Sequence, residues 1–599
     1  MEPHSAAWSL DVLDDGWTAI SATSLAAKTA PDAAESIQDC IVRVTADEGV
    51  LKDFYNVETS PTRHARLDAF YETELAALAQ QPFDAYATRD EQADHLLLRN
   101  YLTRTQRTLA RDRARDAAFA DFVEPFAAPV RAWLERRQRV EPIDPQALAD
   151  SFAETVGIIA RTRDYVEEHA GRYSRSAGWR GARAVRGLRD HLAEFHAFYA
   201  GYDPLFDWWV EEPYQRLHAA LGRIADVIAE KIAGLRPGDD ADDAIIGEPI
   251  GRAGLLAELE AEMIPYSPSE LVAIGEAEYA WCEAEMIQAA DDLGFGTRWR
   301  DALEHVKNLY EPPGAQPTFI KALVDEGAAY VQQHDLVTVP RLAAEGVRMT
   351  MISAARQRIN PFFLGGTRLQ VSYPTAAMPN AAKRMALRGN NRHFTRATAF
   401  HEMIPGHHLQ LHVGARKRPY RARLFTTPFF VEGWALYWEM LLWARGDFFV
   451  SAEDRVGALF WRMHRCARVV FSLRFHLGEM SADECVDMLV DRVGHERSNA
   501  EGEVRRSLAG DYSPLYQAGY LLGALQLVRL REEVLDQQRM GEKEFHDAVL
   551  AANEMPIEML RALLLEKELS RDFKSEWRFY DDAEGGLTKH VNMSMRSGR

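Results

Sequence analysis

Eight residues, His401-Glu402-Met403-Ile404-Pro405-Gly406-His407-His408, constrain this chain more than any other stretch. They lie in apolar helical sequence, TRATAFHEMIPGHHLQ. A histidine followed at once by a glutamate, with further histidines nearby, suits metal-assisted hydrolysis: neutral imidazoles hold the ion and a carboxylate takes a proton from water. The common form is H-E-x-x-H, whose histidines share one helix face. Here His401 and His407 are six residues apart. On a straight helix six residues turn about 600°, leaving the rings about 120° apart and offset by about 9 Å along the axis. Such a pair cannot share an ion. Pro405 removes a helical hydrogen bond and Gly406 accepts unusual dihedrals, so the sequence predicts a break that swings His407 back beside His401. His408 is the competing ligand. It shares the face of His401 but lies about 10.5 Å away on a regular helix, and His407 is favoured.

The third ligand is sought downstream. FFVEGWALYWEMLLWA (429–444) is a strongly apolar helix whose only charges are Glu432 and Glu439. A buried carboxylate must be paired, protonated or metal-bound. Glu432 follows His407 after one loop and a return helix, which makes it the natural third ligand. Glu439 is two turns further on, about 10 Å along a regular helix, and reads as a support for a ligand or a partner for an arginine. Two imidazoles and a carboxylate also suit manganese, cobalt or iron; hydrolytic precedent favours one zinc ion per chain.

The surrounding chain is helical. Apolar residues recur at three- and four-residue spacing over 33–57, 62–80 and 89–115, and further helices are expected near 117–137, 145–168, 180–200 and 211–234. LRPGDDADDAIIGEPIGRAG (235–254) is loop chemistry and marks a boundary between an N-terminal helical lobe (1–240) and a catalytic lobe (250–599). Its DDADD run lacks the glycine and closing glutamate of a calcium loop and reads as a solvated turn. Helices follow over 255–263, 267–293, 316–336 and 340–358, with Ser267 and Glu270 forming a capping box. Leu369, Val371 and Tyr373 alternate after a Gly-Gly turn and form the best strand in the chain. An edge strand there could hold an extended substrate, with Tyr373 beside it; a short structural hairpin is the other reading. After the motif helix (394–414), helices are expected over 452–478, 481–492, 496–508, 514–538, 542–552 and 555–568.

Two late stretches offer donors for an oxyanion. FSLRFHLGEMS brings His476 to a packed helix end, and EVRRSLAGDYSPLYQAGYLLGALQL carries Arg506, Tyr512, Tyr516 and Tyr520. An arginine can also bind a terminal carboxylate in bidentate fashion, and Arg506 is the candidate.

A formal net charge of −20 argues against a nucleic-acid partner. No run of about 20 apolar residues predicts a membrane span. The four cysteines form no C-x-x-C pair, and the first residues show neither a basic nor an apolar leader segment, so a cytoplasmic placement is expected.

HEMIPGHHLQ, followed by VEGWALYWE and PLYQAGYLLG, resembles the bacterial family known as domain of unknown function 885. The resemblance spans most of 250–570. It implies a mainly α, two-lobed zincin-like metallopeptidase with a small sheet at the cleft, similar in architecture to peptidases of the neurolysin and angiotensin-converting-enzyme type. In the latter, the third zinc ligand heads a segment like Glu432-Gly433, and a transition-state tyrosine on a late helix follows a second tyrosine by one turn, as Tyr520 follows Tyr516. Dipeptidyl peptidases of the third type hold zinc with both histidines of a motif expanded by one residue; this chain would carry a two-residue version.

The resulting expectation is a zinc-dependent hydrolase of short peptides. His401, His407 and Glu432 are its ligands, Glu402 is the general base, Tyr520 and His476 are oxyanion donors, and Tyr516, Arg506 and Tyr373 contact substrate. A hydrolase of a non-peptide amide would use the same residues. An inactive, metal-binding helical relic is the third reading, and Glu402 argues against it because a structural site has no use for a base.

Overall fold

Helical periodicity is realised along most of the described residues. The computed structural model describes residues 35–235, 245–357, 362, 365–510 and 512–580. The expectations for the first residues and the DDADD turn lie outside them. The protein is mainly helical. The expected capping box of Ser267 with Glu270 closes at the start of helix Pro268–Asp292, and the structure adds a second, Thr88 with Glu91, at the start of Arg89–Ala117.

Two large cores form. One joins Ile37–Leu102 to Leu255–Tyr580; the other is built mostly from residues 119–232. The expected boundary near 240–250 thus follows the second core, while the first N-terminal helices pack with the C-terminal part. Fully buried Arg421, whose Nε lies 2.7 Å from Asp94 Oδ1 and Nη2 2.8 Å from Asp90 Oδ1, ties these two parts of the first core together.

Four of the helices that position the site pack on one another. Pro428–Arg445 runs along Tyr516–Asp536, and Ala452–Leu477 packs against both Tyr516–Asp536 and the motif helix Arg392–Glu402. The first pair crosses glycine on glycine. A Cβ on Gly523 would stand 2.1 Å from the Phe429 carbonyl oxygen, and one on Gly433 would stand 2.7 Å from the Gly523 carbonyl carbon. This close approach lets Glu432 and Tyr516 touch across the interface.

One element differs from expectation. Residues 340–358 do not form a single helix. They make a short helix Arg341–Glu345, strand β1 (Met349–Met351) and a helical turn Ala354–Gln357. β1 pairs in parallel with β2 (Leu369–Val371), Met349 opposite Leu369, so the hairpin reading of the strand does not hold either. The cause is tertiary. Leu369 and Val371 are buried against Ile320, Leu323 and Val324 on one helix and Ala399 and Met403 on the motif helix, and this small core draws Val347 and Met349 into an extended partner.

A candidate metal centre

The helix Arg392–Glu402 stops one residue after His401, and a new helix, His407–Gly414, starts at His407. The expected break is present. Bonds spanning six residues replace the helical ladder: the Gly406 amide donates to the Phe400 carbonyl at 3.0 Å, and the Leu409 amide to the Met403 carbonyl at 3.1 Å. Gly406 passes so close that a Cβ would lie 1.7 Å from the His401 carbonyl oxygen. Trp434, on the neighbouring helix, donates its indole N–H to the Pro405 carbonyl at 2.9 Å and pins the break.

The break brings the two imidazoles together. Their rings are perpendicular, at 88°, with centroids 4.9 Å apart. One donor atom each from His401, Glu402 and His407 falls within 4.8 Å of the others. Glu432 Oε2 is 3.2 Å from His407 Nε2 and 3.6 Å from His401 Nε2. Two carboxylates thus share the two imidazoles: Glu402 is grouped with them within 4.8 Å, and Glu432 contacts both rings. Glu439 lies 2.6 Å from His401 Nδ1, on the far side of that ring. Two imidazoles with the carboxylates of Glu402 and Glu432 make a nitrogen and oxygen donor set that a divalent cation fits.

The ionisation of these groups reflects their crowding. Burial alone would depress His401, but hydrogen bonds to Glu432 and Glu439 outweigh it and push the imidazole up to about 9. Burial opposes ionisation of Glu432, yet His407 and His401 hold it well below the usual carboxylate range. Burial raises Glu402, with Glu432 adding to the effect against His401 and His407.

His408 is not in the cluster. Its Nε2 is 2.9 Å from the Ala343 carbonyl oxygen and its Nδ1 3.3 Å from that of Gly366, so backbone oxygens flank both nitrogens. The two late tyrosines do reach the site. The Tyr516 hydroxyl donates to Glu432 Oε1, so it holds a carboxylate of the cluster rather than facing outward for substrate. Tyr520 lies nearly parallel to His401, at 15° with centroids 6.3 Å apart. Its hydroxyl makes no hydrogen bond among the described residues. Burial, then Glu432, lifts it to about 12, against the guanidiniums of Arg468, Arg506 and Arg465.

His476 is elsewhere, which corrects its expected place beside Tyr520. It lines a cavity of about 1190 Å³ between the two cores, together with Arg111, Arg115, Glu258 and Tyr512. Burial, then Arg115 and Arg111, pushes it down to about 4. The helix bearing it is long, and His476 lies more than two turns beyond the residues that face Tyr520. Tyr373 follows β2, half-buried, and no hydrogen bond among the described residues joins it to the cluster. Arg506 packs on the Tyr512 ring, 4.9 Å from its centroid, and Tyr512 packs against Tyr516 at a tilt of 55°, centroids 4.3 Å apart.

Sequence reasoning missed the arginines. Arg465 and Arg468 flank Tyr520, 5.2 and 4.5 Å from its ring centroid. Arg465 also reaches Glu439 at 3.6 Å, and Arg468 pairs with buried Glu503. Three arginines at three-residue spacing (Arg462, Arg465, Arg468) in a helix with Leu459, Met463, Cys466 and Val470 were the available signal.

These features define a mainly helical protein with a buried histidine–carboxylate cluster at a broken helix. Residues 45–564 match the family described as bacterial protein of unknown function (DUF885), and the chain belongs to that family. No curated protein matches the sequence. Two solved structures share the fold: one from Shewanella oneidensis (15% identity, TM-score 0.65, covering 89% of this chain and 100% of that one) and one from Colwellia psychrerythraea (16%, 0.56, 89% and 99%). Each is described as a "putative lipoprotein", the first also as of unknown function. That description overturns the cytoplasmic placement expected above from the first residues, the scattered cysteines and the lack of a long apolar run.

Proposed function

We propose that this protein is a zinc-dependent hydrolase that cleaves peptide bonds of short peptides. The observation that carries the reading is the convergence of His401, His407 and Glu432 with a further carboxylate, Glu402, directly beside them. A site built only for structure has no need of Glu402. His401, His407 and Glu432 would hold the ion, which in such a place makes water a ready nucleophile near neutral pH and polarises the scissile carbonyl.

The chain's own residues do the rest. Glu402 takes the proton of the attacking water and delivers it to the leaving amine. Burial raises its proton affinity, which strengthens it as a base. The unengaged Tyr520 hydroxyl donates to the oxyanion as the carbonyl becomes tetrahedral. Glu439 fixes the tautomer and plane of His401, and Tyr516 fixes Glu432. The zincin-like relationship suggested by the motifs agrees with this division of roles.

The test is metal content together with hydrolysis of a peptide library by wild type and Glu402→Gln. About one zinc per chain in both, with turnover in wild type alone, is expected. A metal-loaded wild type that cleaves no peptide would sink the reading.

A further inference from the structure

Two guanidiniums, Arg465 and Arg468, lie over the Tyr520 ring, and a third, Arg506, shares Glu503 with Arg468. Arg465, Arg468 and Arg506 are 4%, 3% and 8% exposed, so each is buried with its charge. Among the described residues their carboxylate partners are two, Glu439 and Glu503. Arg465 shares Glu439 with His401, while Arg468 and Arg506 share Glu503, the latter at 3.8 Å. Three positive charges thus face two negative ones, and one of the two is also committed to His401.

The donors are not used up. Arg465 Nε, Arg468 Nε and Nη1, and Arg506 Nε are buried and have no hydrogen-bond partner. A buried N–H left without an acceptor costs about 1–3 kcal/mol, and more on a charged group. Four of them in one cluster describe a place prepared for an acceptor that carries charge. The planar guanidinium fork matches a carboxylate in particular. The nearest open space is the 1190 Å³ cavity: Tyr512, on whose ring Arg506 packs, is among its lining residues, while the three arginines themselves lie behind that wall.

We propose that Arg468 and Arg506, backed by Arg465, form a subsite for a carboxylate of the substrate, set beside Tyr520 and hence next to the scissile bond. The inference rests on the hydrolase reading above and narrows it to peptides bearing an anionic group at or near the cleaved residue. That carboxylate is either the free C-terminus or an acidic side chain. The chemistry of recognition is the same for both.

The experiment pairs acetylated tetrapeptides as free acid and C-terminal amide, and with glutamate or glutamine at the last position. Hydrolysis is followed with metal-loaded wild type and Arg506→Gln, and binding by calorimetry with metal-loaded Glu402→Gln, which needs no turnover. The carboxylate form is expected to bind and react roughly 10–100-fold better, through KM, as a charge-assisted bidentate pair implies. Arg506→Gln should erase most of that difference. A preference tied to the terminus or to the side chain supports the subsite and identifies its source. Equal binding and equal rates across both pairs would overturn the subsite while leaving peptide hydrolysis standing. A preference undiminished in Arg506→Gln would overturn its assignment to these arginines. Selective binding by Glu402→Gln with no hydrolysis by wild type would support the subsite and overturn the hydrolase reading instead. The wild-type comparisons hold even where an arginine variant does not fold.

Discussion

Glu439 Oε1 sits 2.6 Å from His401 Nδ1, while His401 Nε2 faces Glu432. The imidazole is therefore oriented from behind, with its other nitrogen turned to the cluster. A carboxylate behind a ligating histidine fixes the tautomer and raises its basicity. Glu439→Gln keeps the shape and removes the charge. It should weaken zinc binding roughly 10–100-fold, as for other outer partners of metal histidines. Competition with a chromogenic chelator measures this directly, and an unchanged affinity would show that Glu439 serves only Arg465.

The two adjacent histidines make a sharper contrast. His407 Nε2 points at Glu432, whereas His408 is flanked by the carbonyls of Ala343 and Gly366. His407→Ala should lose the metal. His408→Ala should keep it and lose about 1 kcal/mol of stability for the backbone hydrogen bond that its N–H donates. Elemental analysis of the purified variants, with urea unfolding beside it, separates the two. Metal loss in His408→Ala alone would move the ligand by one residue.

How far the sequence reaches can be judged from single residues. His407 and Glu432 were legible because their chemistry is local: the Pro-Gly break and a lone pair of carboxylates in an apolar helix each demand an explanation. β1 was not, since three residues carry no alternation and Met349 extends only because Leu369 and Val371 offer it a partner. His476 was misplaced for a geometric reason. A helix of 26 residues spans about 39 Å, so lying on the right helix does not put a side chain in the right place. Arg468 and Glu503 are distant in sequence and meet only after folding, so neither announces the other.

Gly365 tests whether Glu402 needs its present position. A Cβ there would lie 2.1 Å from Glu402 Oε2 and 3.0 Å from its Cα, so the Gly365 backbone rests directly on the proposed base. Gly365→Ala must push Glu402 or the loop aside. Turnover should fall at least about tenfold while zinc content stays near one per chain, because positioning of a base contributes on the order of 10²–10⁴-fold. Parallel activity and metal assays read both. Full activity in Gly365→Ala would show that the loop yields freely and that Glu402 is not held by it.

The last prediction concerns acid. His495 Nε2 is 2.9 Å from His464 Nδ1, so one ring donates and the other accepts, and the bond requires a neutral acceptor. Burial, then Arg468, pushes His464 down to about 3, and burial, then His464, holds His495 well below the usual value. Both folded values lie below the unfolded one, near 6.5. The unfolded chain therefore binds protons first as pH falls. The stabilisation is complete above about pH 6.5 and is lost progressively as pH drops towards the folded values. For His464 the loss reaches about 2 kcal/mol by pH 5. Glu503, 3.5 Å from His464 Nε2 and held well below the carboxylate range by Arg468 and His464 despite its burial, adds a loss of the same sign at lower pH. Urea unfolding at pH 7.5, 6 and 5 should show stability falling with acid, and His495→Gln should flatten the slope between 6.5 and 5. A stability that is constant over that range in wild type would mean that the pair takes up its proton without disturbing the fold.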